Sequence, residues 1–381
     1  MQKKPIKLLI VENDLIIGGV QRLTLDQLRG LDKSVFSPSL FTLMQFRGKG
    51  DFYNLVPEGV SVTKFDFKGF LDLKGWVAII QELRKLKPDI IKTSLFFSNN
   101  IFRILKPFFG YKLISAEHNT GTPRKWSFRI LDRFLSTFSN AIIADSKEVS
   151  SFITSNEKID PRKMKVIYNG VDIEGIQNSK KELFNQREQI RKEIGINPTD
   201  KVFLSVARIT TQKNHELMVN AFNLLLKERN DSVLVILGDG SLRKKVEDQV
   251  ESLGLTNKVL VLGENKYVHK YYAISDYFLL TSRHEGFCIA AMEALAFGLP
   301  VISTRVAGVI EYLKDGYNGF FSDATPESFR SAMKKALSLS SSELPVMKEN
   351  AVSTADKYSV KRYSDEFGKL LLVVWNNQKI S

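Results

Sequence analysis

Short, almost entirely apolar runs recur along this sequence, with helical segments between many of them. Ile6–Val11 is the first run, and Lys7 is its one polar residue. Such runs are typical of strands that are covered on both faces of a sheet. Further strands are predicted in the first half at Leu40–Leu43, Val62–Phe65, Ile90–Thr93, Lys112–Ala116, Ala141–Ala144 and Val166–Tyr168. The alternation predicts an α/β fold with parallel sheets and right-handed crossovers.

The alternation stops and then starts again, which indicates two domains. The chain has 381 residues, a length that usually divides into two hydrophobic cores. We expect a first domain over residues 1–172, a polar linker over 173–200 with a helix at Glu182–Ile194, a second domain over 201–357, and a last segment over 358–381.

Charge is unevenly distributed along the chain. Residues 1–170 contain 27 lysines and arginines against 16 aspartates and glutamates, so they carry +11 of the formal +13. A basic field of this kind attracts nucleic acid, an anionic membrane or a phosphorylated acceptor. The sequence has no zinc-finger spacing, ribonucleoprotein motif or arginine-rich tail, which argues against nucleic acid as the partner.

Residues 124–135 combine aromatic and basic side chains as an interfacial membrane helix does. The residues that carry this pattern are Trp126, Phe128, Ile130 and Phe134 together with Arg124, Lys125, Arg129 and Arg133. Ile101–Lys112 offers a second basic and aromatic patch. A helix that buries its aromatic side chains in the core and leaves its basic face in water explains the pattern equally well.

The single cysteine, Cys288, cannot form an internal disulfide, which suits a reducing compartment. The apolar run that starts at Ile6 ends at Glu12 and is too short for a signal peptide, and no run reaches the length of a membrane-spanning helix. We therefore expect a cytoplasmic protein that can bind at the inner face of the cell membrane.

The stretch from Ser282 to Ser303 predicts a turn, a helix and a buried strand in succession. Glu285 and Gly286 lie in the turn, and Gly298 ends the helix. Within the helix, the neighbours of Glu293 at three and four residues are all apolar: Ile289, Ala290, Ala296 and Phe297. A carboxylate in that setting needs donors, which ligand hydroxyls or an arginine or lysine of a neighbouring element could supply.

Several loops that follow predicted strands carry groups suited to a phosphorylated ligand. Gly18 and Gly19 open a helix, where backbone amides attract anions. Arg208 and Lys213 lie five residues apart and could flank a diphosphate, although two solvated surface charges would give the same pattern. His118 directly follows a strand, where a single histidine often has only a structural role.

Glu285 and Glu293, separated by seven residues, stand within His284-Glu-Gly-Phe and before Ala-Leu-Ala-Phe-Gly-Leu-Pro-Val-Ile. This pattern resembles the signature of the retaining nucleotide-sugar glycosyltransferases of family 4. Gly18-Gly19-Val-Gln-Arg and Tyr168-Asn169-Gly170-Val-Asp resemble further elements of the same family. The resemblance implies the GT-B architecture, in which two Rossmann-like domains have parallel sheets facing a central cleft, and a last helix, here Tyr358–Trp375, that returns to the first domain.

The resemblance also implies roles for individual residues. Amides of Gly18 and Gly19 would approach the donor diphosphate, which Arg208 and Lys213 would bind and stabilise as it leaves. Glu285, with the backbone of Gly286, Phe287 and Cys288, would face the donor sugar, and Glu293 would take the ribose hydroxyls. His118 would lie near the donor sugar and the attacking hydroxyl, and Asn169 and Gly170 would border the cleft.

In such enzymes the acceptor attacks from the face that the diphosphate leaves, without a covalent sugar–enzyme intermediate. The sequence contains no Asp-x-Asp pair, so we expect neither a metal nor another cofactor. The expected reaction transfers a hexose or N-acetylhexosamine to a lipid-linked saccharide during assembly of capsule, exopolysaccharide or lipopolysaccharide.

Other activities remain open at this point. The acceptor could be a simple membrane lipid or a soluble molecule. A non-hydrolysing nucleotide-sugar epimerase, or a binding protein without turnover, could share the fold. The two spaced acids and His118 favour transfer over epimerisation, and the intact set of acids and cations argues against a binding protein without turnover.

Overall fold

The structure is a computed structural model that describes residues 4–16, 18–45, 50–118 and 126–380. The chain divides into two compact units, one formed by residues 1–170 with 360–381 and the other by residues 171–359. Each unit is built on its own sheet, and every strand pair in both sheets is parallel. The expected α/β fold class, with one parallel sheet in each half, is confirmed.

The sheet of the first unit has seven strands among the described residues, in the order β3-β2-β1-β4-β5-β6-β7. The strands are β1 (Ile6–Glu12), β2 (Phe36–Thr42), β3 (Ser61–Lys64), β4 (Ile90–Ser94), β5 (Lys112–Glu117), β6 (Ala141–Ala144) and β7 (Met164–Val166). The chain starts in the middle of the sheet, moves to one edge, and crosses back to build the other side, as in doubly wound α/β folds.

The helices of the first unit are α1 (Gly19–Gly30), α2 (Leu73–Leu86), α3 (Leu95–Phe109), α4 (Trp126–Ser136), α5 (Lys147–Asn156) and, at the end of the chain, α14 (Val360–Trp375). Helix α14 packs against α1, with Gln27 donating a hydrogen bond to the Tyr363 hydroxyl. A β-carbon on Gly30 would lie 2.6 Å from that of Ser364, so the two helices approach closely.

The core of the first unit includes part of the second basic and aromatic patch. Ile101 and Phe102 are fully buried, and they pack with Leu9, Ile91 and Leu113 of the sheet. Burial of such a side chain contributes about 1.5–3 kcal/mol relative to exposure. Ile101 and Phe102 therefore belong to the core, as the alternative interpretation of this patch requires, whereas Phe108 near the end of α3 is 80% exposed.

The sheet of the second unit has six strands among the described residues, in the order β10-β9-β8-β11-β12-β13. The strands are β8 (Lys201–Val206), β9 (Ser232–Leu237), β10 (Val259–Val261), β11 (Tyr277–Leu280), β12 (Val301–Thr304) and β13 (Gly319–Ser322). The helices are α6 (Ile173–Phe184), α7 (Arg187–Glu193), α8 (His215–Leu226), α9 (Arg243–Ser252), α10 (Val268–Ile274), α11 (Ile289–Phe297), α12 (Pro326–Leu337) and α13 (Glu343–Ala355).

Residues 173–200, expected as a linker with one helix, form two helices that belong to the second unit. The guanidinium of Arg191 is buried, donates to the carbonyl oxygens of Ile274, Pro198 and Asp200, and pairs with Asp276 at 3.0 Å. A charge taken out of water needs such partners. Arg191 therefore anchors α7 to the second unit.

Helix α11 packs its alanines against neighbouring helices. Ala291, Ala294 and Ala296 are fully buried, and the helix contacts α6 and α13 closely. Gly298 ends the helix with a φ of +82°, and its N–H donates to the carbonyls of Ala294 and Leu295. Small side chains allow this close approach, which holds the amino end of α11 at the edge where β11 ends.

Candidate functional site

Three loops of the second unit leave the same edge of its sheet. They follow β8, β11 and β12, which are adjacent and parallel. Ligands of parallel α/β sheets bind beyond the carboxyl ends of the strands, so these loops define the candidate site of this unit. Most of the predicted donor-binding residues lie in the first two.

Lys213 and Glu285 meet across these loops. The ammonium Nζ lies 2.5 Å from the carboxylate Oε1, with 16% of the lysine side chain and 6% of the glutamate side chain exposed. Ser282 also donates to the same oxygen. Burial by itself would lower the pKa of Lys213, but the facing Glu285 carboxylate and its hydrogen bond raise it overall. Lys213 is therefore positively charged at neutral pH, and it holds the carboxylate in place.

The backbone ties the same two loops together. Gln212 donates from its side-chain amide to the His284 carbonyl at 2.9 Å, and the Arg283 N–H donates to the Gln212 carbonyl at 2.8 Å. The Thr281 hydroxyl bonds to the Lys213 carbonyl at 3.0 Å. Several neutral hydrogen bonds thus hold the two loops together. They fix the positions from which Lys213 and Glu285 form the ion pair.

Arg208 lies at the exposed start of the loop after β8, and its positive charge acts on Lys213. The backbone around it is closely packed: a β-carbon on Gly238 would lie 1.9 Å from the Ala207 carbonyl oxygen, and Gly238 has a φ of +141°. Only glycine fits this position. The structure thus brings Arg208 and Lys213 together as two neighbouring cations, one open to solvent and one held by a carboxylate.

Glu293 lies half-buried on α11 and accepts a hydrogen bond from the Tyr272 hydroxyl at 3.0 Å. Tyr272 is fully buried, and burial followed by the nearby carboxylate raises its pKa well above the usual value, so the hydroxyl remains a donor. The sequence indicated that this carboxylate needs donors. It did not indicate that a tyrosine from α10, 21 residues earlier, supplies one.

The turn between Glu285 and α11 has a constrained backbone. Cys288 precedes the helix with a φ of +61°, and burial raises the pKa of its thiol to about 12. Phe287 is buried against Tyr312 and Tyr358, so its side chain belongs to the core and only its backbone can face a ligand. A β-carbon on Gly308 would lie 1.7 Å from the carbonyl oxygen of Gly286, which brings the loop after β12 against this turn.

The remaining predicted site residues lie in the first unit, at the corresponding edge of the other sheet. Gly18 is the residue before α1, and Gly19 is its first residue. A β-carbon on Gly18 would lie 2.5 Å from Oε1 of Gln21. The amino end of the 12-residue α1 follows β1, and no side chain forms a hydrogen bond as its cap, an arrangement that suits an anion.

His118 follows β5 and lies next to a carboxylate that sequence reasoning missed. Its Nδ1 is 3.4 Å from Oδ2 of Asp145, which follows β6, and both side chains are buried. The side-chain amide of Asn169 lies 3.4 Å from the same oxygen. Nε2 of His118 has no hydrogen-bond partner among the described residues. Gly170 ends this unit, and Asn119, next to His118, lies outside the described residues.

A second polar group in the first unit also escaped prediction. Nζ of Lys92 lies 3.0 Å from Oε1 of Glu12, and both side chains are fully buried. The hydroxyls of Thr24 and Ser94 each donate to this oxygen at 2.6 Å. Buried pairs of this kind need hydrogen bonds to their charged atoms. Oε1 of Glu12 has three such partners, whereas its Oε2 has none among the described residues. This ion pair follows from the pairing of β1 with β4, which the two local sequences do not reveal.

Two negative observations complete the site. In the part of the chain that the structure describes, no three histidine, cysteine, aspartate or glutamate side chains gather as metal ligands would. Within that same part, no helix has both the length and the apolar character needed to cross a bilayer.

Comparison with known proteins matches each half of the chain to a glycosyltransferase profile. Residues 186–354 match the family profile described as glycosyl transferases group 1, and residues 17–174 match the profile of glycosyltransferase family 4. An uncharacterized glycosyltransferase of Methanocaldococcus jannaschii is 33% identical over 49% of this chain and 48% of its own length. The chain thus spans about half the length of that relative.

Two further proteins are similar over most of their length. The UDP-Gal:alpha-D-GlcNAc-diphosphoundecaprenol alpha-1,3-galactosyltransferase of Escherichia coli is 25% identical over 83% of each chain. The crystal structure of Anabaena Alr3699/HepE in complex with UDP-glucose matches with a TM-score of 0.82 and 19% identity, over 96% of this chain and 99% of that one. The latter likeness shows the fold alone. The chain belongs to glycosyltransferase family 4 and has the GT-B fold.

Proposed function

We propose that the chain is a retaining, metal-independent glycosyltransferase that moves a hexose or N-acetylhexosamine from a nucleoside diphosphate sugar to a lipid-linked saccharide in surface-polysaccharide assembly. The observation that supports this most strongly is the Lys213–Glu285 pair at 2.5 Å with Arg208 beside it. A diphosphate leaving group needs cations, and a sugar needs a fixed carboxylate. The second unit presents both at one sheet edge.

In this proposal the two cations have different tasks. Arg208 is exposed and can form two parallel hydrogen bonds with phosphate oxygens, whereas Lys213 acts as a fixed point charge. Hydrogen bonds to charged groups contribute about 1.5–3 kcal/mol each. Preorganised charges of this kind stabilise negative charge that develops in the transition state, because they need no reorganisation during the reaction.

The carboxylates recognise the hydroxyl groups of the donor. Glu285 is already held by Lys213 and Ser282, so its orientation is set before a sugar arrives. Glu293, held by Tyr272, would accept hydrogen bonds from the ribose. The backbone of Gly286, Phe287 and Cys288 lies between these two acids, where its amides can face the sugar. Amides of Gly18 and Gly19 would assist at the diphosphate.

His118 would lie near the donor sugar and the attacking hydroxyl. Its Nδ1 faces Asp145, which sets the ring orientation and leaves Nε2 as the free position. The acceptor proton would pass to an oxygen of the departing diphosphate, which accounts for retention without a covalent intermediate. Asn169 supports the same carboxylate, and Gly170 adjoins it.

Two observations support a lipid-linked acceptor. The similar protein of Escherichia coli has a diphosphoundecaprenol-linked acceptor in its name. In addition, the formal net charge of this chain lies entirely in its first unit, which has 31 lysines and arginines against 18 aspartates and glutamates, whereas the second unit has 24 of each. A basic unit favours an acceptor that carries a diphosphate.

The test is product analysis with a panel of nucleoside diphosphate sugars, with and without a diphosphate-linked saccharide acceptor. We expect one donor to give a glycosylated acceptor whose new linkage keeps the anomeric configuration of the donor, with a chelator present. Conversion of the donor to an epimer without acceptor would instead identify an epimerase. Tight donor binding without turnover on any acceptor would identify a binding protein.

A further inference from the structure

Helix α4 of the first unit presents a row of large apolar side chains to solvent. Trp126, Ile130 and Phe134 have 74%, 61% and 64% of their surfaces exposed. Four residues make slightly more than one helical turn, so these three side chains lie along one stripe. A contiguous exposed apolar surface of this kind marks a site of interaction.

The opposite face of α4 is packed into the unit and neutralises the acidic charge of the helix. Asp132 is the only acidic residue of α4, and Oδ1 of its carboxylate lies 2.6 Å from a guanidinium nitrogen of Arg103, with both side chains fully buried. Leu135 is buried on the same side. Of the two arginines of α4, Arg133 is exposed, whereas Arg129 is half-buried and donates to the Asn156 carbonyl oxygen. Within α4, the charges outside the buried pair are therefore positive, and the predicted Arg124 and Lys125 lie outside the described residues.

A second apolar projection lies at the turn that leads into α2. Leu71 and Leu73 are 95% and 77% exposed, and sequence reasoning did not identify them. Asp72 between them accepts hydrogen bonds from the N–H groups of Gly75 and Lys68, so its carboxylate serves to cap the helix. The apolar tip is thus held in a defined conformation.

Aromatic contacts connect the two projections. The Phe70 ring lies 4.9 Å from the Phe97 ring, and the neighbouring Phe96 ring lies 5.7 Å from Phe128 of α4. Adjacent residues at the start of α3 therefore contact both the turn before α2 and helix α4. We call the surface formed by Leu71, Leu73, Trp126, Ile130 and Phe134 the apolar rim.

We infer that the apolar rim docks the first unit on an anionic phospholipid surface. The inference rests on the proposed function, because a lipid-linked acceptor is presented at such a surface. The charge of the first unit favours an anionic lipid surface. The rim lies on the unit that carries the whole net charge of +13, and the arginines of α4 add to it. Aromatic and aliphatic side chains enter the boundary between headgroups and acyl chains, while arginines bind lipid phosphates.

Vesicle flotation tests this inference with the full chain and without any donor or acceptor. The probes are vesicles of phosphatidylcholine alone and of phosphatidylcholine mixed equally with phosphatidylglycerol. We expect the protein to bind the mixed vesicles at least about tenfold more strongly, with weaker binding at high salt because charge is screened. Thermal unfolding of every variant shows whether its fold is retained.

The variants separate the apolar and the basic contributions. Ile130→Ser with Phe134→Ser, and separately Leu71→Ser with Leu73→Ser, should each lower vesicle binding at least about tenfold. Arg129→Gln with Arg133→Gln should remove much of the preference for anionic lipid. Phe184→Ser is the matched control, because Phe184 is 75% exposed but lies in the second unit, whose formal net charge is zero. This control should bind like the wild type.

The inference is overturned if the wild-type protein does not bind the mixed vesicles, or if the serine variants bind as well as the control. It is also overturned if sedimentation shows a dimer that Ile130→Ser with Phe134→Ser converts to a monomer, since a second copy would then cover the rim. Donor binding in solution is measured separately. Vesicle binding without donor binding contradicts the proposed function alone, and donor binding without vesicle binding contradicts this inference alone.

Discussion

The ammonium of Lys213 lies 2.5 Å from the carboxylate of Glu285, although 72 residues separate them in the sequence. They meet because β8 and β11 are adjacent and parallel, which places their following loops side by side. Each residue stabilises the charge of the other. This relationship makes the donor-side chemistry testable through single substitutions.

Glu285→Gln keeps the size of the side chain but removes the charge that faces Lys213. We expect transfer to fall about 100-fold or more, since the sugar loses a carboxylate and the lysine loses its support. Without the carboxylate, burial and the positive charge of Arg208 lower the pKa of Lys213, so donor affinity should begin to decline at a lower pH than in the wild type. Steady-state kinetics and donor titrations across pH measure both effects.

Asp231→Asn is the control for this substitution, because Asp231 pairs with Arg229 on the surface of the same unit. It should change neither donor affinity nor turnover. If Glu285→Gln leaves both the alkaline decline and the donor affinity unchanged, the pair has no part in donor recognition.

Asp145→Asn tests whether this carboxylate orients His118. The ring would lose the partner that faces Nδ1 at 3.4 Å, and misplacement of a group near the reacting atoms lowers kcat by about 10- to 100-fold. The KM for the donor should change little, because the donor groups in the second unit are untouched. Asp160→Asn, at a partly exposed carboxylate of the same unit that pairs with Arg162, should behave as the wild type. An unchanged kcat in Asp145→Asn would refute the orienting role.

Gly308→Ala should disrupt the loops around Glu285 and Gly286. Gly308 has a φ of +70°, and the added methyl group would lie 1.7 Å from the Gly286 carbonyl oxygen. Gly316→Ala is the matched control, because its φ is +74° but no atom lies within 4 Å of the new methyl group. We expect the control to lose about 1 kcal/mol of unfolding free energy from backbone strain alone.

For Gly308→Ala we expect a loss of unfolding free energy about 1–3 kcal/mol larger than in the control, because the backbone must move to relieve the overlap. Donor affinity should fall with it, as the turn that holds Glu285 is displaced. Chemical denaturation and donor titration of both variants provide the comparison. Equal losses of stability in the two variants would show that the loops do not touch as described.

His215 should make the second unit sensitive to acid. It is 2% exposed, and neither ring nitrogen has a hydrogen-bond partner among the described residues. Burial, followed by the nearby charge of Lys213, lowers its pKa from 6.5 to about 4. Between these values the unfolded chain binds a proton that the folded chain does not, so stability falls as the pH decreases from 6.5 to 4.

This shift in the pKa of His215 corresponds to about 3 kcal/mol of unfolding free energy, all of which is lost by a pH near 4. His215→Leu removes this titration, so its unfolding free energy should vary less over the same pH range, by about that amount. Denaturant unfolding at several pH values measures the difference. Parallel pH profiles for the wild type and the variant would exclude His215 as the cause.

Local sequence was sufficient for the features that depend on near neighbours. The apolar runs predicted most strands, and the turn, alanine-rich helix and glycine between Ser282 and Gly298 predicted the start and end of α11 closely. The acids at positions 285 and 293 and the motifs around them identified the family. These features are encoded within a few turns or strand residues, where periodicity and backbone preference decide the structure.

Tertiary structure alone decided which distant groups meet and which side chains face water. The same basic and aromatic composition describes α3, whose Ile101 and Phe102 are core, and α4, whose Trp126 and Ile130 are exposed. Neighbouring strands likewise bring Asp145 to His118 and Lys92 to Glu12. Periodicity shows that a helix has an apolar stripe but not what covers it, because that depends on the crossovers that order the strands. The sequence by itself therefore determined the fold class and the family, and the packing of the strands determined the partners of each charged group.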